Sequence, residues 1–170
     1  MEKQTKNIIT REWIENELRF YNSADIRSML VLCGVMSLVF LPLTAASVCG
    51  LIVWLENIWL KVFSSFLIGV LLSAPVWGNL FSLRIILNER KLLLRGDFEI
   101  VTRKVQYKIE KAVHSHTECF LHFSDFREAS CIQTTFQLTS QGDEFYLVHY
   151  TGQDSVKLMF PAKTYEYREI

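Results

Sequence analysis

Two uncharged apolar stretches constrain this chain more than any other feature. The first runs from Met29 to Leu55 and the second from Val62 to Leu83, and neither contains Asp, Glu, Lys, Arg or His. A hydrocarbon layer of about 30 Å is crossed by about 20 apolar helical residues. Each stretch is long enough, and the first exceeds the need, so it tilts or its end belongs to the connector. Between them lie Trp54, Glu56, Asn57, Trp59 and Lys61, a short polar element flanked by tryptophans. That is the chemistry of a bilayer interface. The expectation is a transmembrane helical hairpin over residues 28–83.

Basic residues set the expected orientation. Arg11, Arg19 and Arg27 precede the first stretch, and Arg84, Arg90, Lys91, Arg95, Arg103 and Lys104 follow the second, whereas the connector holds only Lys61. The positive-inside bias then puts both termini in the cytoplasm and makes this a two-span protein of the cell membrane. A cleaved signal peptide ending near Thr44-Ala45-Ala46 is disfavoured by the long polar leader and by an apolar run that continues past the site. A lipoprotein cysteine at Cys49 is disfavoured by Val48, where a small residue is needed. With no ionisable group inside either stretch, a transporter or pump acting alone is also disfavoured.

Small residues recur at helical spacing in both stretches: Ala46 with Gly50, Gly69 with Ser73, and Ala74 with Gly78. Such positions let helix backbones approach closely, either within the hairpin or between copies of it. Pro42 and Pro75 fall near the middle of each stretch, where proline favours a kink. Asn79 is the strongest side-chain hydrogen bonder in the second.

The flanking segments differ in pattern. Ile9, Trp13, Leu18 and Tyr21 recur at roughly helical spacing among charged residues, so residues 1–27 read as an amphipathic segment. It packs on the polar half of the chain or lies in the membrane interface. Residues 84–97 read as a juxtamembrane linker that extends the second helix until Gly96 ends it. From Phe98 the period changes to two. Val101, Arg103, Val105, Tyr107 and Ile109 alternate with Thr102, Lys104, Gln106 and Lys108, which predicts a strand with these five on one face. Further strands are expected at Cys119 to Phe123, Ile132 to Leu138, Phe145 to Tyr150 and Val156 to Phe160. The fold class expected is an α+β membrane protein, a transmembrane hairpin followed by a small antiparallel β-barrel or sandwich over 98–170.

The run from Gly142-Asp143-Glu144-Phe145 to Val148, followed by Phe160-Pro161-Ala162-Lys163-Thr164-Tyr165-Glu166, resembles the ending of uncharacterised small bacterial membrane proteins. These join a two-helix anchor to a small β-barrel. The resemblance implies that architecture and brings with it neither a reaction nor a catalytic residue.

The residues themselves point to no reaction. Lysine plus arginine equals aspartate plus glutamate, 18 of each, so no net charge draws the chain to nucleic acid. The four cysteines have the spacing of neither a zinc ribbon nor a disulfide scaffold. No phosphate-cradling glycine loop is present. Ser130 and Cys131 lack the elbow and oxyanion-hole residues of a nucleophile site. The one cluster of ligand types is His114, His116 and Glu118, which alternate on one strand face and to which His122 or His149 could add; zinc accepts such donors. A solvated loop explains the same residues. Aromatic residues are numerous after residue 119, and Phe123, Phe126, Tyr165 and Tyr167 are the candidates for an apolar binding face, with core packing as the alternative. The expectation is a membrane-anchored, cytoplasm-facing interaction module, without catalysis or cofactor, whose partners are the bilayer and another protein or itself. The alternatives are a subunit that meets its complex through the hairpin and, third, a small membrane enzyme or metal-binding protein.

Overall fold

The computed structural model describes residues 6–113 and 116–169. Their order is β1 (Asn7–Thr10), α1 (Arg11–Trp54), α2 (Ile58–Arg95), β2 (Phe98–Val113), β3 (His116–Phe123), β4 (Ala129–Cys131), α3 (Gln133–Leu138), β5 (Glu144–Tyr150), β6 (Val156–Pro161) and β7 (Tyr165–Arg168). Two compact units are present: Tyr21 to Glu89, and the residues up to Phe20 together with those from Arg90 onward. The molecule is thus α+β, with two long apolar helices and an antiparallel sheet curled into a half-barrel. Among the described residues the five-stranded sheet has β4 and β6 as its unjoined edges, a half-barrel where the strand spacing predicts a closed barrel or sandwich.

The helical unit holds α1 from Tyr21 onward and α2 as far as Glu89, out of helices 44 and 38 residues long. Both are apolar on nearly all sides, and large side chains such as Leu38, Val53, Phe66 and Trp77 are exposed. The least exposed positions are Asn22, Ile26 and Cys33 on α1 and Val76 on α2. The three on α1 fall at helical spacing on one face. Asn22 Nδ2 donates to the carbonyl of Ile86 at 3.4 Å. The connector's Asn57 caps α2, its Oδ1 accepting the amides of Trp59 and Leu60 at 3.0 and 3.3 Å, which satisfies two of the donors every helix start leaves open. Pro42 and Pro75 lie inside continuous helices. Near them Thr44 Oγ1 donates to the Phe40 carbonyl and Asn79 Nδ2 to the Pro75 carbonyl. Asn79 thus bonds within its own helix.

The leader does not form a separate helix. β1 pairs in parallel with β7, and α1 starts at Arg11 and runs on without a break. Thr10 Oγ1 accepts the amide of Trp13 at 3.2 Å as the N-cap, and Ile9 and Ile14, on either side of that cap, are both buried in one cluster. This is a hydrophobic staple, which sets the angle at which a chain enters a helix. Ile9, Ile14 and Leu18 pack with Leu93, Phe98, Val148 and Tyr150, so the leader packs on the β unit, the first of the two alternatives. At the other end of α2, Gly96 adopts φ 73°. Its amide bonds the Leu93 carbonyl, and the Asp97 amide bonds that of Leu92. This paired closure ends the helix at the glycine, where the sequence pattern placed it.

The sheet order is β4-β3-β2-β5-β6, antiparallel throughout. β2, 16 residues long, pairs with β5 through its first half and with β3 through its second. β5 shows how two cores share one strand. Phe145 and Leu147 enter a cluster with Val105, Cys119, Leu121, Phe123, Ala129 and Phe136, while Val148 and Tyr150 enter the cluster with Ile14 and Leu93. Alternate side chains on a strand point to opposite faces, and a strand buried on both reads as an unbroken apolar run.

Two predicted features of this unit differ. The expected strand Ile132 to Leu138 is the short helix α3, which lays Phe136 into the core beside β3 and leaves Ile132 and Leu138 outside. Lys108 covers the Phe136 ring at 4.2 Å and bonds the Thr139 carbonyl at 2.8 Å. The expected single face of β2 is also broken. Val105 faces Phe123, but Tyr107 faces His122, so β2 carries one extra residue at a bulge. The bulge moves Tyr107 and Ile109 away from the face of Val105, since a shift of one residue exchanges the two faces.

Candidate functional site

Beyond that bulge, the face of β2 and β3 turned away from the core carries Tyr107, Ile109 and Lys111 opposite His122, Phe120 and Glu118. Tyr107 is exposed and stacks on the His122 ring, centroids 4.3 Å apart and planes 18° from parallel. Lys111 lies 4.8 Å from the Phe120 centroid and is ion-paired with Glu128. Phe120, His122, Arg127 and Glu128 line a shallow, open concavity on this face. Arg127 also bonds Asp154 at 2.8 Å, tying the β3–β4 turn to the β5–β6 turn. His122 Nδ1 is buried and has no hydrogen-bond partner among the described residues. The arrangement offers ring faces, aliphatic surface and charges of both signs, which suits contact with another surface.

Two further exposed apolar groups of the β unit stand at the ends of α3: Ile132, just before it, is 71% and Leu138, its last residue, 82% exposed. Their positions on either side of buried Phe136 follow from the helix that replaced the expected strand. A strand would have put Ile132, Phe136 and Leu138 on one face together; the helix admits only Phe136.

The candidates named from the sequence divide as follows. Phe123 is completely buried and packs edge-on against Phe145, centroids 5.9 Å apart, so it builds the core and offers no binding surface. Phe126 is half-buried beside that core and meets the His149 ring edge-on at 4.8 Å. Tyr165 and Tyr167 are half-buried against the other cluster, where Tyr165 packs on Phe160 and Tyr167 on Tyr146. Of the metal candidates, His114 lies outside the described residues. His116 begins β3 opposite Val113, and Glu118 stands opposite Lys111. No three His, Cys, Asp or Glu side chains gather as a metal group among the described residues. His122 and His149 are not brought together. His149 is buried on β5, its Nδ1 3.1 Å from the carbonyls of Tyr150 and Gln153, whereas His122 stacks on Tyr107 of β2.

Of the small residues in the helices, Ala46, Gly50, Ala74 and Gly78 are exposed, and Gly69 and Ser73 are half-buried. A methyl group added at Gly50, Gly69 or Gly78 meets open space. None of these glycines is needed for a close backbone approach between the two helices.

The two segments that carried the resemblance meet in space. Asp143 accepts the Ser140 amide at 2.8 Å and the Lys163 ammonium at 2.7 to 2.8 Å. Gly142, at φ 90°, donates its amide to the Val105 carbonyl. The motif is thus a tie between the turn before β5 and the turn after β6. Comparison with protein-family models, with characterised proteins and with solved structures finds no match to this chain.

Proposed function

We propose that this chain is a membrane-anchored interaction module, with α1 and α2 crossing the bilayer as a hairpin and the β unit on the cytoplasmic side. The apolar character of both helices on all sides supports the anchoring, since a helix apolar all round is stable only when lipid or protein surrounds it. Arginine and lysine flanking the hairpin support the orientation. A protein partner is the occupant we assign to the β unit. The observation that carries this is the exposed pair Ile132 and Leu138 at the ends of α3, with exposed Tyr107 beside half-buried Phe120 on the bulged face. Large apolar side chains left outside in so small a unit are the anchors that interfaces bury.

A second reading has its own support. The exposed Ala46, Gly50, Ala74 and Gly78 are free to receive a helix of another chain, so the hairpin itself would make the decisive contact. One extraction separates the two. The tagged chain is taken from its native membrane in mild detergent, and co-purifying proteins are quantified for the parent, for Ile132→Glu with Leu138→Glu, and for Gly50→Leu with Gly78→Leu. All four positions are exposed, so each variant is expected to keep its fold, checked by circular dichroism. Loss of a stoichiometric partner in the glutamate variant alone supports recognition by the β unit. Loss in the leucine variant alone transfers recognition to the hairpin, and a parent that carries no partner overturns the module reading.

A further inference from the structure

We propose that Cys119 and Cys131 are a redox pair that closes into a disulfide across β3 and β4. The two stand directly opposite each other in the antiparallel register. Residues so placed have Cα atoms about 4.5 to 5.5 Å apart, inside the roughly 4.4 to 6.8 Å that a disulfide spans. Opposed residues also share a face, and both thiols belong to the same core: Cys119 is buried in it and Cys131 packs against it, half-exposed. Cys131 is therefore the thiol an oxidant reaches, and Cys119 the one that completes the bond.

The oxidant class is a small disulfide. The Cys131 thiolate attacks one sulfur of it and releases one thiolate; the Cys119 thiolate then attacks Cys131 Sγ of the mixed disulfide and releases the second. The protons lost by the two cysteines end on the two released thiols, so one disulfide is reduced as one forms. Burial and the neighbouring Cys119 push the Cys131 thiol up to about 11, opposed by the Lys108 ammonium; Glu110 stands opposite Cys119 in register. Attack is accordingly slow at neutral pH and quickens as pH rises. Closure would pin β4, a three-residue edge strand, and with it Ile132, the residue between β4 and α3.

The test uses the full chain in detergent with Cys33→Ala and Cys49→Ala, exposed to oxidised glutathione and followed by intact mass. The expected result is a loss of two hydrogens, with one disulfide-linked peptide joining Cys119 and Cys131. The rate should rise about tenfold per pH unit from neutral toward pH 9. With Cys119→Ser added, the reaction should stop at a glutathione adduct on Cys131. A persistent adduct while Cys119 is present, a disulfide between two chains, or two thiols untouched at pH 9 overturns the proposal, whichever way the serine variant folds.

Discussion

Asp143 shows how much one side chain of this protein holds in place. Its hydrogen bonds from Lys163 and from the Ser140 amide keep its carboxyl below the ordinary 3.8. A carboxyl depressed by folding adds stability that is complete above its unfolded value and is lost as pH falls through its folded value. Asp143→Asn should therefore lower the thermal midpoint of the β unit at neutral pH, with the gap to the parent closing below about pH 3.8. A gap that stays constant from pH 7 to pH 3 would assign the loss to the turn geometry and not to the charge. Two further ion pairs, Arg103 with Asp125 and Arg127 with Asp154, are exposed on both sides, and each contributes about 0 to 1 kcal/mol. They fix turns more than they stabilise the fold.

At the scale of elements, helix ends and one bulge decide the arrangement. α2 ends where Gly96 takes a left-handed conformation, which costs a residue with a Cβ about 1 to 2 kcal/mol. Space is not the obstacle, since an added methyl there meets nothing. Gly96→Ala should thus destabilise the β unit by about that amount in chemical denaturation. A neutral effect would mean that the Leu92–Asp97 closure survives with relaxed geometry. Phe98, two residues on, is buried with Leu93 and Ile14, so one turn joins the last residues of α2 to the core that the first turns of α1 enter. The bulge near Gln106 has a different consequence. It divides β2 into a half that faces both cores and a half that places Tyr107 outward against His122.

For the whole molecule, the orientation proposed for the hairpin is open to a direct check. In a chain with all four native cysteines replaced, a cysteine at the connector residue Glu56 should react with a membrane-impermeant maleimide from the outside of intact cells. A cysteine at Gln141, exposed before β5, should react only after permeabilisation. Reversed labelling would place the β unit outside and remove a cytoplasmic partner from consideration. The β unit itself is closed on one side by the leader through Ile9, Ile14 and Leu18, and on the other by α3 through Phe136. That division, two small cores back to back across β5, is how a sheet that does not close on itself still buries its apolar strands.

Much of this is legible in the sequence alone. Two uncharged apolar runs, the polar connector, the glycine that ends α2 and the strands around Val105, Leu121, Leu147 and Leu158 follow from local composition and period, which depend only on neighbouring residues. The leader's docking, the helix at Gln133–Leu138 and the outward turn of Tyr107 do not follow. Each depends on partners distant in the chain: Ile14 on Val148, Phe136 on Leu121, Tyr107 on His122. The opposition of Cys119 and Cys131 is of the same kind, since register across two strands is a property of their pairing and not of either strand. Local sequence determined the two long helices, most of the strands and which segments are apolar enough to span a membrane. Tertiary packing alone decided which faces are covered, because one extra residue in a strand, or one aromatic ring that finds a core, exchanges inside for outside.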